Sequence, residues 1–374
     1  MKIAILTFHN SDNYGSVLQA YALRTYIIKQ FNPENCDIVN FVPPNQEELY
    51  AIYLPNDSFK NIIKNMRSLC FSKLLRKRKA AFTEFRNDFL NIKAPKMYTQ
   101  EEVDEALKGY DVLVCGSDQI WNPRSLDFSP VYFGINFGGK KISYAPSFGN
   151  ASLESFEKNA IWAKESIESF SALSVREEAG YKLISELGIN KPISKVLDPT
   201  FLLEKDDWAN LLNDSKKRES YIFFYSIDYN VEAIEMVKSI SKKTGLKVKV
   251  IFSTNKTYRT IGKGIELINE VSPRDFLTVL YNADIVLSSS FHGVAFSVLF
   301  RKNFYALESY RNGKKYEDER IHTILGKIDL LDRIVSKDNI NDIIFDRNIL
   351  PPFNEDLIRE EVAKSRNYIV ENLS

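Results

Sequence analysis

The 374-residue chain is short of the residues that build metal sites and disulfide frameworks, with three cysteines and three histidines. Cys36, Cys70 and Cys115 are odd in number and far apart, with no C-x-x-C pair. This argues against a disulfide framework and a cysteine-based zinc site, and it points to reduced thiols in a cytosolic protein. Three scattered histidines give no zinc-site spacing either, so no metal is expected. An excess of one charge is also missing: 50 Lys and Arg face 49 Asp and Glu. Such a chain has no field to recruit a polyanion, and nucleic acid is not an expected partner. No apolar run reaches the roughly 18 residues of a membrane span, and Met1-Lys2 lead into a strand-length run rather than a signal-peptide core. A soluble protein is expected.

What is present is an alternation of short β-rich runs with helical patterns. Runs at 2–8, 36–42, 111–116, 141–147 and 172–176 are separated by amphipathic stretches such as 16–30 and 152–169, a pattern of parallel-sheet α/β architecture. A second series runs through 221–227, 246–253, 283–289 and 303–308. The length suits two doubly wound domains facing a cleft, 1–205 and 206–350, with the polar segment 203–220 between them. A helical pattern at 353–374, after Pro351-Pro352, is expected to pack back on the first domain.

Residues 59–90 stand apart, with nine Lys/Arg against Glu84 and Asp88. Ile62, Ile63, Met66, Leu74, Leu75 and Phe82 supply apolar spacing among them. The region reads either as peripheral contact with an anionic membrane surface or a lipid-linked substrate, or as a solvated helix face or lid.

Ligands of open α/β sheets bind beyond the carboxyl ends of the strands. After the first strand, Asn13, Tyr14, Gly15 and Ser16 form a turn and helix start, without the G-x-G-x-x-G or P-loop lysine of a dinucleotide or triphosphate cradle. His9, beside them, reads as structural. "VCGSDQIWNP" places Ser117, Asp118 and Trp121 in a loop, where a carboxylate beside an aromatic suits a sugar and where Asp118 serves equally as a helix cap. "SVREEAG" puts Arg176 at a helix start, either to fork onto a carboxylate or phosphate ligand or to pair with Glu177 or Asp198. "SSSFHG" offers Ser288, Ser289, Ser290 and His292 at the start of an apolar helix, and Gly293 is read as leaving room for a ligand at the backbone. Lys314, Lys315 and Arg320 follow, as completion of an anion pocket or as a solvated helix.

In this order, "NYGSVLQAYAL", "YDVLVCGSDQIW", "KISYAPSFG", "LSVREEAGYKLISELGI", "VLDPTFLL" and "LYNADIVLSSSFHGVAFSVL" resemble the polysaccharide pyruvyl transferase family from residue 2 to about residue 330. The resemblance implies a GT-B-like pair of Rossmann-type domains. It also implies transfer of pyruvate from phosphoenolpyruvate to two hydroxyls of a saccharide, forming a ketal, in the synthesis of bacterial surface or cell-wall glycans. Arg176 and His292 match the family residues that hold phosphoenolpyruvate. Ser290-Phe291 stand where many members have Arg-Leu, so one cationic contact is absent, and Lys315 or Arg320 is the candidate to replace it.

These matches make His292, Arg176 and Asp118 the catalytic candidates. Ser289, Ser290, Gly293, Lys315 and Arg320 join His292 on the donor side, in the second domain, and Arg176 of the first domain is counted with them. Asn13, Tyr14, Gly15, Ser117, Asp118 and Trp121 stand on the acceptor side, in the first. No cofactor is implied beyond the donor itself; the acceptor is a saccharide, free or lipid-linked, and the location is cytoplasmic or at the inner membrane face. Two rivals remain: a GT-B glycosyltransferase with a nucleotide-sugar donor, and a non-catalytic glycan-binding relative.

Overall fold

The computed structural model describes residues 1–156, 160–213, 219–253, 255–311 and 313–374. Residues 157–159 of the expected helical stretch and 214–218 of the expected connector lie outside the described residues. The chain divides into two compact units, Met1–Lys64 with Thr83–Leu203 and Arg359–Ser374, and Asn65–Phe82 with Glu204–Ile358. Residues 65–82 thus interrupt the span 1–205, because a charge and apolar pattern does not say which core a helix will join.

In the first unit, β1 (Lys2–Leu6), β2 (Asn35–Ile38), β3 (Val112–Cys115) and β4 (Lys140–Ser143) form a parallel sheet in the order β2-β1-β3-β4. β5 (Leu173–Val175) and β6 (Ile193–Lys195) form a parallel pair, and Ala172 bridges to Ile142 at the end of the main sheet. β1, β3 and β5 are buried along almost their whole length, as expected of strands covered on both faces. The helix Tyr14–Phe31 starts where the Asn13 side chain accepts the Gly15 amide at 2.9 Å, and it ends at Asn32 in the left-handed region. The C-terminal helix Glu355–Leu373 is tied to this unit by its polar side chains. Tyr368 donates to the Ser143 carbonyl at 2.9 Å, Ser365 Oγ accepts the Leu197 amide at 2.8 Å, and Arg366 donates to the Leu202 carbonyl at 2.7 Å.

In the second unit, β7 (Tyr221–Tyr225), β8 (Lys247–Ile251), β9 (Ile265–Ile268), β10 (Ile285–Ser288) and β11 (Phe304–Leu307) precede a small antiparallel hairpin of β12 (Ser309–Arg311) and β13 (Lys314–Tyr316). A last strand, β14 (Ile334–Val335), completes a parallel sheet in the order β9-β8-β7-β10-β11-β14. Counted within the unit this is 3-2-1-4-5-6, the order of a doubly wound dinucleotide-type fold. In both sheets the connections diverge at one place, between β1 and β3 in the first unit and between β7 and β10 in the second. Each of those places carries a cluster of polar side chains.

Candidate functional site

In the first unit, the loops after β1 and β3 are knitted together. Gln19 donates to Thr7 Oγ1 at 2.9 Å and to the Ser16 carbonyl at 3.0 Å, and its own side-chain oxygen accepts the Ser117 amide at 3.3 Å. Gly116 makes the turn possible: at φ +137° a Cβ there would lie 2.0 Å from the Tyr144 carbonyl oxygen. Asp118, at φ 67°, is thereby aimed back at the first helix turn, where Ser16 Oγ donates to its Oδ2 at 2.5 Å. Its other oxygen accepts the Gln119 amide and lies 3.8 Å from the Arg176 guanidinium.

Arg176 is buried and ringed by carboxylates. It donates to Asp198 Oδ2 at 2.7 Å and faces Glu177 Oε2 at 3.5 Å, and both acids are themselves anchored by backbone amides, of Thr200 and Phe148. Of the two readings open from sequence, pairing with Asp198 and Glu177 is the one formed in this structure. Trp121 is not available to stack on a sugar, because it is fully buried, lies flat on Phe133 at 4.9 Å and donates to the Tyr132 carbonyl. Tyr14 and Ser117 are likewise buried, and Ser117 Oγ is spent on the Ala145 carbonyl. His9 sits between the Thr7 carbonyl and Asn40 Oδ1 as a buried, hydrogen-bonded residue of the fold, and burial lowers its pKa from 6.5. A second buried carboxyl, Asp127, accepts from Ser125 and from Gln46 Nε2, and burial raises its pKa above the usual range.

In the second unit, Ser226 after β7 and Ser289 after β10 meet across the point where the connections diverge, with Ser289 Oγ donating to Ser226 Oγ at 2.8 Å. The helix Phe291–Leu299 begins at Ser290, whose side chain makes no cap, and His292 occupies its first turn with 6% exposure. Gly293 has a different reason from the one read in sequence. A Cβ there would meet Ser288 Oγ at 2.2 Å, so this glycine lets the helix close on β10 rather than admitting a ligand. Arg320 lies with its guanidinium 5.8 Å from the Phe291 ring centre and forks onto Asp318. Lys315 bridges Glu308 and Glu317 at 3.3 Å each; burial pulls its ammonium down, but the two carboxylates outweigh that and hold it above its usual range.

Glu308 was not singled out in sequence, although it directly follows the apolar strand β11. It is nearly fully buried and also takes a 3.1 Å contact from His322 Nε2. Glu308, Glu317 and His322 bring one ligand atom each within 4.8 Å of one another, a grouping able to hold a metal ion that the histidine spacing does not reveal. The Lys315 ammonium already bridges both carboxylates, so a cation would have to displace it.

A sequence model described as polysaccharide pyruvyl transferase matches residues 13–310. The chain belongs to that family. No curated protein matches it. Among solved structures, the UDP-N-acetylglucosamine 2-epimerase from Rickettsia bellii is similar at a TM-score of 0.55 and 11% identity, over 99% of this chain and 95% of that one. Methanocaldococcus jannaschii UDP-GlcNAc 2-epimerase is similar at 0.49 and 14% over 100% and 99%, and E. coli heptosyltransferase WaaC at 0.39 and 13% over 100% of both chains. The likeness to the Rickettsia protein shows the fold, α/β with two Rossmann-type units of the GT-B-like class. As a member of the pyruvyl transferase family, the chain is a transferase with a saccharide acceptor. Within the family match lie both polar clusters, Ser16–Asp118–Arg176 and Ser226–Ser289–His292.

Proposed function

We propose that the protein transfers pyruvate from phosphoenolpyruvate to two hydroxyls of a saccharide, forming a pyruvate ketal. The observation that carries this reading, beside family membership, is the start of the helix Phe291–Leu299. The Ser290 side chain makes no cap there, serines surround it, His292 sits in its first turn, and it stands at the divergence point of a doubly wound sheet. A helix N-terminus of this kind receives a small anion, and the donor carries a carboxylate and a phosphate.

In the proposed chemistry, a proton adds to the methylene carbon and leaves an oxocarbenium-like centre at the neighbouring carbon. One sugar hydroxyl forms a C–O bond there, the bond to the phosphate oxygen breaks, and the second hydroxyl closes the ring. Of the two alcohol protons released, one balances the proton taken up by the methyl group and the other leaves with phosphate. His292 orients the phosphate or passes it that proton, with Ser289, Ser290 and Arg320 completing the donor side. Asp118, held by Ser16, is the base for an acceptor hydroxyl, and Arg176 serves by fixing the acidic cluster around it. No step changes oxidation state through an external carrier. The acceptor is a surface-polymer or cell-wall glycan intermediate, and the reaction belongs to the cytoplasm.

A second reading is a nucleotide-sugar glycosyltransferase. It rests on the fold class, which hosts both reactions. Thermal-shift titration of the protein and of His292→Ala with phosphoenolpyruvate, UDP, GDP and CMP separates the two. Stabilisation by phosphoenolpyruvate alone, lost in the variant, is the expected result. A shift with a nucleotide and none with phosphoenolpyruvate overturns the pyruvyl reading.

A further inference from the structure

The helix Phe59–Cys70 is laid on the protein the wrong way round for a soluble surface helix. Four of its apolar side chains, Phe59, Ile62, Met66 and Leu69, are 78%, 41%, 62% and 61% exposed, whereas Ser68 is buried and Asn61, Ile63 and Asn65 are partly covered. At 3.6 residues per turn the four apolar residues share an arc of about 80°, and the polar residues Asn61 and Ser68 lie on the opposite side. An ordinary amphipathic helix buries the first set and exposes the second. Here several large hydrophobic side chains stand together in water, an arrangement that marks an interaction surface.

The charge beside this stripe selects its occupant. Arg67 and Lys60 come next round the helix, about 80° and 100° beyond Phe59, with Lys64 further round still, and all three are exposed. Between Phe59 and Thr83 the chain has eight Lys/Arg and no Asp or Glu, while the chain as a whole is close to neutral. Lys73, Arg76, Lys77 and Lys79 of the following helix, Ser72–Phe89, are exposed as well. A second copy meeting this face about a two-fold axis would set like charge against like charge. An anionic lipid surface instead supplies phosphates for the lysines and an acyl boundary for Phe59, Met66 and Leu69.

We propose that the helix Phe59–Cys70 lies in the interface of an anionic membrane, its apolar stripe inserted and its basic edge on the headgroups. This holds the protein at the surface where a lipid-borne substrate would be met, yet it does not depend on the reaction and is tested without any substrate.

The test is flotation of the purified full-length chain with phosphatidylcholine vesicles containing roughly one-third phosphatidylglycerol, against vesicles of phosphatidylcholine alone. The protein is expected to float with the first and not with the second. Phe59→Asn with Met66→Asn is expected to weaken partitioning at least about tenfold. Lys60→Gln with Lys64→Gln is expected to weaken it by about tenfold or more and to make the residual binding less sensitive to salt. Because all four positions are exposed, the melting temperature of each variant should match that of the parent, which separates lost docking from lost folding. Failure to float with anionic vesicles, equal flotation with neutral ones, or undiminished flotation of the apolar variant overturns the proposal. So does a light-scattering mass of two chains that falls to one in the apolar variant, which would assign the face to a second copy.

Discussion

Replacing Arg176 by methionine tests how the acidic cluster of the first unit is held. The substitution keeps an unbranched apolar stem and removes a charged group from a side chain only 2% exposed, while Asp198 and Glu177 beside it are fully buried and Asp118 nearly so. Breaking a buried ion pair by removing one partner costs about 3–5 kcal/mol, chiefly because the other charge is left without compensation. The lower end applies here, since Asp198 keeps the Thr200 amide, Glu177 the Phe148 amide and Asp118 the Ser16 hydroxyl. A loss of about 3 kcal/mol lowers the melting temperature of a unit this size by about 6–12 °C. Differential scanning calorimetry of Arg176→Met, Asp198→Asn and the double variant reads both the loss and the coupling. The double variant should be distinctly more stable than the sum of the single losses implies, by about 1–3 kcal/mol. An Arg176→Met protein melting within about 2 °C of the parent would refute the reasoning, because these ion pairs would then contribute little. Arg176 would be left as a ligand-binding arginine whose loss shows only in donor affinity.

Two further outcomes follow from single positions. Gly116→Ala should cost about 3 kcal/mol or more, because it places a Cβ against the Tyr144 carbonyl and strains a backbone at φ +137°; urea denaturation with an unchanged midpoint would contradict the close approach seen here. Asp127→Asn should stabilise the protein at neutral pH. Its folded carboxyl is raised by burial, so between the ordinary carboxylate range and that raised value the folded state holds a proton the unfolded chain has released, and stability falls as pH rises. The new amide can donate to Gln46 Oε1, which takes no hydrogen bond among the described residues. Melting curves of parent and variant from pH 5 to pH 8 check the sign, and an Asp127→Asn protein less stable than the parent at neutral pH rules the argument out. His9 acts in the opposite direction in the same experiment. Its folded pKa is lowered, so its contribution is complete above 6.5 and is lost as pH falls through 6.5 toward the folded value.

Much of the fold was legible because parallel strands buried on both faces are apolar runs, as in β1, β3, β7, β10 and β11. The strands that escaped, β6, β9, β12, β13 and β14, are two to four residues long, too short to show a period, and β6 and β9 carry Lys195 and Glu266. The run 36–42 pairs in register with β1 only as far as Ile38, and beyond it Phe41 bridges Met97 instead, a change of partner that β-propensity does not reveal. At the sites, the helix start at Ser290-Phe291-His292 was readable from an apolar strand, a serine turn and an apolar helix in succession. Glu308 was not, because a single glutamate after a strand looks the same whether it faces water or a buried lysine.

The order of residues alone determined the alternation of strand and helix, the helix starts after β1 and β10, and the family, since each is a local pattern of apolar spacing and turn chemistry. Only the tertiary structure decided the rest. It brought Asp198 and Asp118 to Arg176, stacked Trp121 on Phe133 inside a core, and filled the space over Gly293 with Ser288. It also turned the apolar side of Phe59–Cys70 outward, which no helical pattern reveals, because periodicity shows that a helix has two faces and only packing chooses which one meets the protein.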